Sequence, residues 1–165
     1  MIGATDIFVL LGLLGNEQRT IRELAARLGI SKSNVAYSLG RLAEARLLAG
    51  HRGARRLVRL AVRDLLVHGA QYLFPPRLDG FQLGLPTAYS HPSIAGQLFA
   101  AGETVVMPLA EGPVRGRVLE PIHPQAPRAA AGDDRLHEVL ALVDALRVGR
   151  ARERRLAADL LRERI

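Results

Sequence analysis

The chain has 165 residues, 48% of them hydrophobic, with 23 Lys+Arg against 16 Asp+Glu and a formal charge of +7. That length supports one generous domain or a small domain with a companion, and the charge makes a polyanion such as nucleic acid the first partner to consider. The absence of cysteine excludes disulfides, Cys-ligated zinc, iron–sulfur clusters and thiol catalysis. No apolar run approaches the roughly 20 residues of a membrane span. The apolar opening Ile7 to Leu14 follows Asp6 and lacks a basic flank and a small-residue cleavage site. It is expected to be a helix rather than a signal peptide, and the cytoplasm is the expected compartment.

Thr5 or Asp6 is expected to cap that first helix, with Gly15-Asn16 closing it, and its nearly all-round apolar character predicts burial. Thr20-Ile21-Arg22-Glu23 is a capping box that starts a second helix from Ile21 to Leu28. Gly29 supplies a left-handed turn, Ile30 plugs the corner, and Ser31 caps a third helix from Lys32 to about Leu47. Leu47 to Gly50 and Leu57 to Leu60 are short apolar runs around His51-Arg52-Gly53-Ala54-Arg55-Arg56, a two-stranded hairpin with a basic tip.

Beyond Arg63 the texture changes. A short helix is expected near Asp64 to His68, then a Gly- and Pro-punctuated stretch through Pro92, and a short helix from Ser93 to Ala101 ended by Gly102. Thr104 to Leu109 and Val114 to Ile122 look like a β-hairpin, and Pro121 to Gly132 like a linker. Asp133 or Asp134 then caps a helix with Leu136, Val139, Leu140, Val143 and Leu146 on one face, and Leu156, Leu160 and Leu161 continue the stripe beyond Gly149. The fold class expected is α+β: an N-terminal winged helix-turn-helix over 1–63, a small mixed α/β segment over 64–132, and a long helical tail over 133–165, one helix or two broken at Gly149, that pairs with a second copy.

The candidate functional constellation lies in the second and third helices. Ile21, Leu24, Leu28, Ile30, Val35, Leu39 and Leu42 recur at spacings that set them face to face, with Ala25 and Ala36 leaving room for close approach. The opposite side of the third helix offers Ser31, Lys32, Ser33, Asn34, Tyr37, Ser38 and Arg41, all able to hydrogen-bond bases or phosphates, and no carboxylate before Glu44. Asn34 suits adenine; Arg41 suits guanine or phosphate. From Arg46 to Arg63 the sequence holds several arginines and no acid, and Arg52, Arg55 and Arg56 at the hairpin tip would lie beside the groove.

Thr20 through Leu42, followed by the basic hairpin, resembles bacterial winged-helix regulators of the MarR and ArsR type over about residues 5 to 62. The resemblance implies a recognition helix at Ser31 to Leu47 and a wing around His51 to Arg56 that touches the minor groove or the backbone. Residues 64 to 132, with Gly84-Leu-Pro-Thr-Ala-Tyr-Ser-His91, more faintly resemble the C-terminal parts of regulators encoded beside nucleotidyltransferase-like toxins, which implies an antitoxin-type autorepressor.

The expected function is therefore a sequence-specific regulator of transcription, a repressor acting as a homodimer on double-stranded DNA, with no cofactor and no metal. The alternatives are an adaptor that uses the winged helix as a docking surface and holds a partner protein through residues 64 to 165, or an antitoxin. Catalysis is not expected. His51, His68, His91, His123 and His137 show no metal-ligand spacing, the Asp133/Asp134 and His137 grouping is better explained by capping, and Ser90, His91 and Ser93 near Asp79 lack a nucleophile elbow. Nucleotide-binding fingerprints are absent.

Overall fold

The computed structural model describes residues 1–50, 54–98 and 102–165. Its first third comprises α1 (Ala4–Leu13), α2 (Ile21–Leu28), α3 (Lys32–Glu44), β1 (Leu48–Ala49) and β2 (Arg56–Leu57). α1 is buried from Asp6 to Leu13, as its unbroken apolar run requires. Gly3, not Thr5 or Asp6, holds the cap position, because Asp6 sits one turn in and its Oδ2 accepts the Gly3 N–H at 2.9 Å. The capping box of α2 forms as expected: Thr20 Oγ1 accepts the Glu23 N–H at 3.2 Å and Glu23 Oε2 accepts the Thr20 N–H at 2.6 Å. Gly29 then takes φ +65°, and Ser31 Oγ accepts the Asn34 N–H at 3.1 Å to open α3.

α3 ends at Glu44, short of the expected Leu47. Arg46 turns into the left-handed region at φ +58°, the Leu47 N–H returns to the Leu42 carbonyl at 2.9 Å, and Leu47 and Leu48 are thereby swung into the core. β1 and β2 pair antiparallel, Leu48 opposite Leu57. The second strand is shorter than expected, because a helical stretch starts at Arg59: α4 (Arg59–Asp64), a π-helical turn (Leu65–Gly69) and α5 (Ala70–Leu73).

The remaining elements are β3 (Leu78–Pro86), a 3₁₀ turn at Ala88–Ser90, α6 (Pro92–Ala95), β4 (Val105–Pro108), β5 (Val114–Leu119), α7 (Ala126–Ala131), α8 (Asp134–Val148) and α9 (Ala151–Arg164). The helix expected over 93–101 is shorter: α6 ends at Ala95, Gly96 to Leu98 are described and not helical, and 99–101 lie outside the described residues. β4 and β5 do not make the expected hairpin. They run parallel, Val105 opposite Arg117, and both pair antiparallel with β3, closing a three-stranded barrel. Closure this tight requires positions without side chains: a Cβ at Gly84 would fall 2.1 Å from the Met107 carbonyl oxygen, and one at Gly112 2.4 Å from the Gly84 backbone.

Part of the expected linker is α7, with Ala126, Pro127 and Ala130 buried. Proline at the first helical turn needs no donor there, and small side chains let α7 lie close against α8. α8 is buried at Leu136 and at every residue from Val139 to Arg147, packed against α1, α5, α7 and α9. This overturns the expected use of that stripe as a seam between two copies: Leu136, Val139, Leu140, Val143 and Leu146 are consumed in the chain's own core. Gly149 separates α8 from α9, and a Cβ there would lie 2.4 Å from the Ala145 carbonyl oxygen.

One polar network sits inside this core. Asp144 accepts the Thr87 hydroxyl at 2.7 Å and Arg147 Nη1 at 2.7 Å, while Arg147 also donates to the Phe74 and Glu120 carbonyls at 2.8 and 3.1 Å. Every charged edge is matched, which is the condition for burying such a pair. Asp144→Ala leaves the Arg147 charge buried and uncompensated, and chemical denaturation is expected to show a loss of about 3–5 kcal/mol.

Candidate nucleic-acid interface

The buried cluster of Leu24, Ala25 and Leu28 on α2 with Val35, Leu39 and Leu42 on α3 fixes the angle between the two helices, with α1 behind them. Ile21 and Ile30 pack at its edge. What remains outside on α3 is a side bearing Lys32, Ser33, Asn34, Ala36, Tyr37 and Gly40, with Ser31 at its start. Tyr37 is 69% exposed. Ser31, Lys32, Ser33, Asn34 and Tyr37 are thus brought together on one surface.

Ser38 is a correction. It is fully buried, its Oγ lying 3.4 Å from Arg41 Nη2, because α3 packs on α1 over a wider arc than the aliphatic pattern alone marks. Two further residues lie on the outer side: Ala36, which the sequence pattern places in the helix–helix packing, and Gly40. A Cβ at Gly40 would meet nothing within 4 Å, so no packing among the described residues explains a glycine that costs a helix interior about 0.5–1 kcal/mol. The signal was present as a small residue in mid-helix, three or four positions from Ala36 and Tyr37. Beside this side, an open groove of about 500 Å³ runs between α3 and the hairpin, lined by Ile21, Ala36, Leu39, Gly40, Leu48 and Arg55.

Arg41 is not free. Asp6 receives its Nε at 2.9 and 3.0 Å and its Nη2 at 2.7 Å, so a carboxylate on α1 grips the guanidinium of α3 along one edge. Burial alone would raise the Asp6 pKa, but hydrogen bonds from Arg41, the Gly3 N–H and Ser38 outweigh it and hold the carboxyl below its ordinary 3.8.

At the hairpin, Arg52 lies outside the described residues together with His51 and Gly53. Arg55 turns back instead of outward: its Nη2 donates to the Arg19 carbonyl, and its own carbonyl accepts Gln18 Nε2 at 2.6 Å. Arg56 is exposed. The acid-free run is compensated by residues distant in sequence, since Glu17 pairs with Arg59 at 2.7 Å and accepts the Leu57 N–H at 3.0 Å.

Elsewhere, His91 and His137 meet edge to face at 4.6 Å, and burial, then the neighbouring His137, lowers the His91 pKa to about 4. His91 Nδ1 is held by the Ser93 N–H and hydroxyl, and His137 Nε2 lies 2.7 Å from the Pro86 carbonyl. Capping at the start of α8 is done by Asp133, whose Oδ1 accepts the Leu136 N–H at 3.0 Å. Among the described residues no group of three or more His, Asp or Glu is placed to hold a metal ion, and no helix is long and apolar enough to cross a membrane.

Two helices locked at an angle, an outward polar side on the second and an antiparallel hairpin after it together define a winged helix-turn-helix. Residues 2–57 match the MarR family model, which supports a MarR-type winged helix in this N-terminal segment. No curated protein and no solved structure matches the chain.

The lowered Asp6 pKa makes a pH prediction. A carboxyl depressed in the folded state contributes stability that is fully present above its ordinary 3.8 and is lost as pH falls through the folded value. Asp6→Asn is therefore expected to be less stable than the parent at neutral pH and to lose less on acidification, so that denaturation midpoints measured from pH 5 to 2 converge.

Proposed function

We propose that the chain is a sequence-specific transcriptional repressor, which enters the major groove with α3 and touches the backbone or minor groove with its hairpin. The observation that carries this is the outer side of α3: Ser31, Lys32, Ser33, Asn34 and Tyr37 around a strip of small residues at Ala36 and Gly40, with no acid before Glu44. Polar groups there can address base edges and phosphates, and the absence of bulk at Ala36 and Gly40 lets the helix lie close to a groove wall. Asn34 is the residue suited to adenine, and Arg56 the described wing residue suited to phosphate.

Two copies on a pseudo-palindrome, with half-sites about 34–36 Å apart, complete the proposal. The surface joining them is one other than α8. Sedimentation at micromolar concentration is expected to give twice the 17.9 kDa of one chain, and a monomer that binds a single half-site tightly contradicts it.

The decisive experiment is selection of duplexes from a random pool by the purified chain. Enrichment of one motif is expected, with affinity falling on the order of 10³ to 10⁵ between 50 and 200 mM salt if 6–10 phosphates are neutralised. Arg56→Ala should flatten that salt slope by about one, and Asn34→Ala should relax preference at one position by about 1–3 kcal/mol. Gly40→Ala separates folding from binding: the helix gains about 0.5–1 kcal/mol in stability while the added methyl lowers affinity for the selected duplex. A gain in both places Gly40 off the duplex.

A second reading is favoured by one observation. Leu78, Phe81 and Leu83 on β3 are 42%, 49% and 45% exposed, which suits a partner protein held through residues 64–165, the antitoxin version included. Absence of any motif in the selection favours it.

A further inference from the structure

The Asp6–Arg41 contact does more than an ordinary surface ion pair. Asp6 is 2% exposed and belongs to α1, whereas Arg41 is 39% exposed and belongs to α3, on the margin of the outward side. The carboxylate also accepts the Gly3 N–H at 2.9 Å, so it fixes the start of α1 and the guanidinium with the same two oxygens. An arginine held this way has surrendered its rotamer freedom before any ligand arrives.

A guanidinium has five N–H donors. The single Nε donor points at Asp6 (2.9 and 3.0 Å), one Nη2 donor reaches Asp6 Oδ1 at 2.7 Å, and Ser38 Oγ lies at 3.4 Å from the same nitrogen. Nη1 has no partner among the described residues. A guanine edge is read by two parallel N–H groups from two nitrogens. Here the Nε/Nη2 edge is consumed and the Nη1/Nη2 end is half committed to Ser38. A phosphate oxygen requires only one donor.

We infer that Asp6 is the positioning residue of the DNA interface: it holds Arg41 so that Nη1 alone faces outward and meets one backbone phosphate at a fixed place, rather than reading a base. The inference rests on the proposal that α3 enters the groove. It also sets the sign of the electrostatics. Asp6 offsets the Arg41 charge, so the contact adds direction and register more than long-range attraction. Without the carboxylate, Arg41 becomes a mobile, uncompensated cation that can reach any phosphate.

The test uses the full chain and the duplex selected by the parent, with a scrambled duplex of equal length as control, both titrated against salt. Arg41→Ala strands a buried carboxylate and can unfold the chain, so the working variants are Asp6→Asn, Arg41→Lys and the neutral pair Asp6→Asn with Arg41→Gln, each checked for a cooperative thermal transition. For Asp6→Asn, affinity for the selected duplex is expected to fall about tenfold while the scrambled duplex is bound no more weakly, and the salt slope steepens. Arg41→Lys and the neutral pair are expected to weaken the selected duplex without changing which bases are preferred at any position. Asp6→Glu, which keeps the charge, restores the ratio of selected to scrambled affinity in part.

Loss of preference at one G·C position in Arg41→Lys overturns the inference, because it makes Arg41 a base reader. Unchanged selected-to-scrambled ratios in Asp6→Asn and in the neutral pair overturn it as well, because they leave the contact a scaffold clamp. A parent chain that selects no duplex removes the regulator reading itself and this inference with it, a result distinct from both.

Discussion

α8 is the constraint on which the rest of the molecule depends. A helix buried at every residue from Val139 to Arg147 must be enclosed, and here the enclosing walls are α1 of the winged helix, α5, α7, α9 and the turn after β3. Its ends carry the polar bonds that fix those walls. Asp133, just before the first turn, caps α8 with Oδ1 and pairs Arg27 of α2 with Oδ2 at 2.8 Å. Arg147 in the last turn gathers the Phe74 and Glu120 carbonyls, and Asp144 beside it takes the Thr87 hydroxyl. The helix-turn-helix and the barrel are therefore braced by opposite ends of one buried rod, and a displacement of α8 would be felt by both.

The charge of the outward surface follows from tertiary pairing, not from composition. A net charge of +7 and an acid-free run from Arg46 to Arg63 suggest a uniformly positive wing. In the folded chain Glu17 comes from the turn between α1 and α2 to neutralise Arg59, Asp6 comes from α1 to hold Arg41, and Arg55 lends its guanidinium to the Arg19 carbonyl. The cations left outward are fewer and better placed, Lys32 and Arg56 among them. Such thinning favours register over bulk attraction, since a surface with fewer unpaired charges binds non-specific polyanion less strongly.

The barrel shows why residues 78 to 119 resisted reading in sequence. β3 contains Gly80, Gly84 and Pro86, residues that ordinarily mark turns, and its side chains alternate poorly because the strand bends through a register shift between Leu78 and Phe81. Gly84 is there for close approach of backbones, which only the three-dimensional crossing of β3, β4 and the Gly112 turn reveals, whereas a Cβ at Gly80 would meet nothing within 4 Å. Ala88, buried at φ +51°, has the same origin: the chain leaves the barrel sharply to deliver the Thr87 hydroxyl to Asp144. α7 was hidden for the opposite reason, since prolines and alanines that look like linker composition can equally be a short helix pressed against a neighbour.

By itself the sequence determined the local features: the capping box at Thr20, the left-handed Gly29, the cap at Ser31 and the aliphatic seam between α2 and α3. These depend on interactions within a few residues, so their spacing carries the information. Tertiary structure decided what any surface residue has left to offer. Whether Ser38 faces outward, whether Arg41 and Arg55 are free, and whether the Leu136 to Leu146 stripe meets a second copy or its own chain all turn on partners from other elements, 35 residues away for Arg41 and 36 for Arg55. Apolar and charged side chains alike are satisfied by whichever complement folding brings near, and periodicity says which face seeks a partner without saying whose partner it becomes.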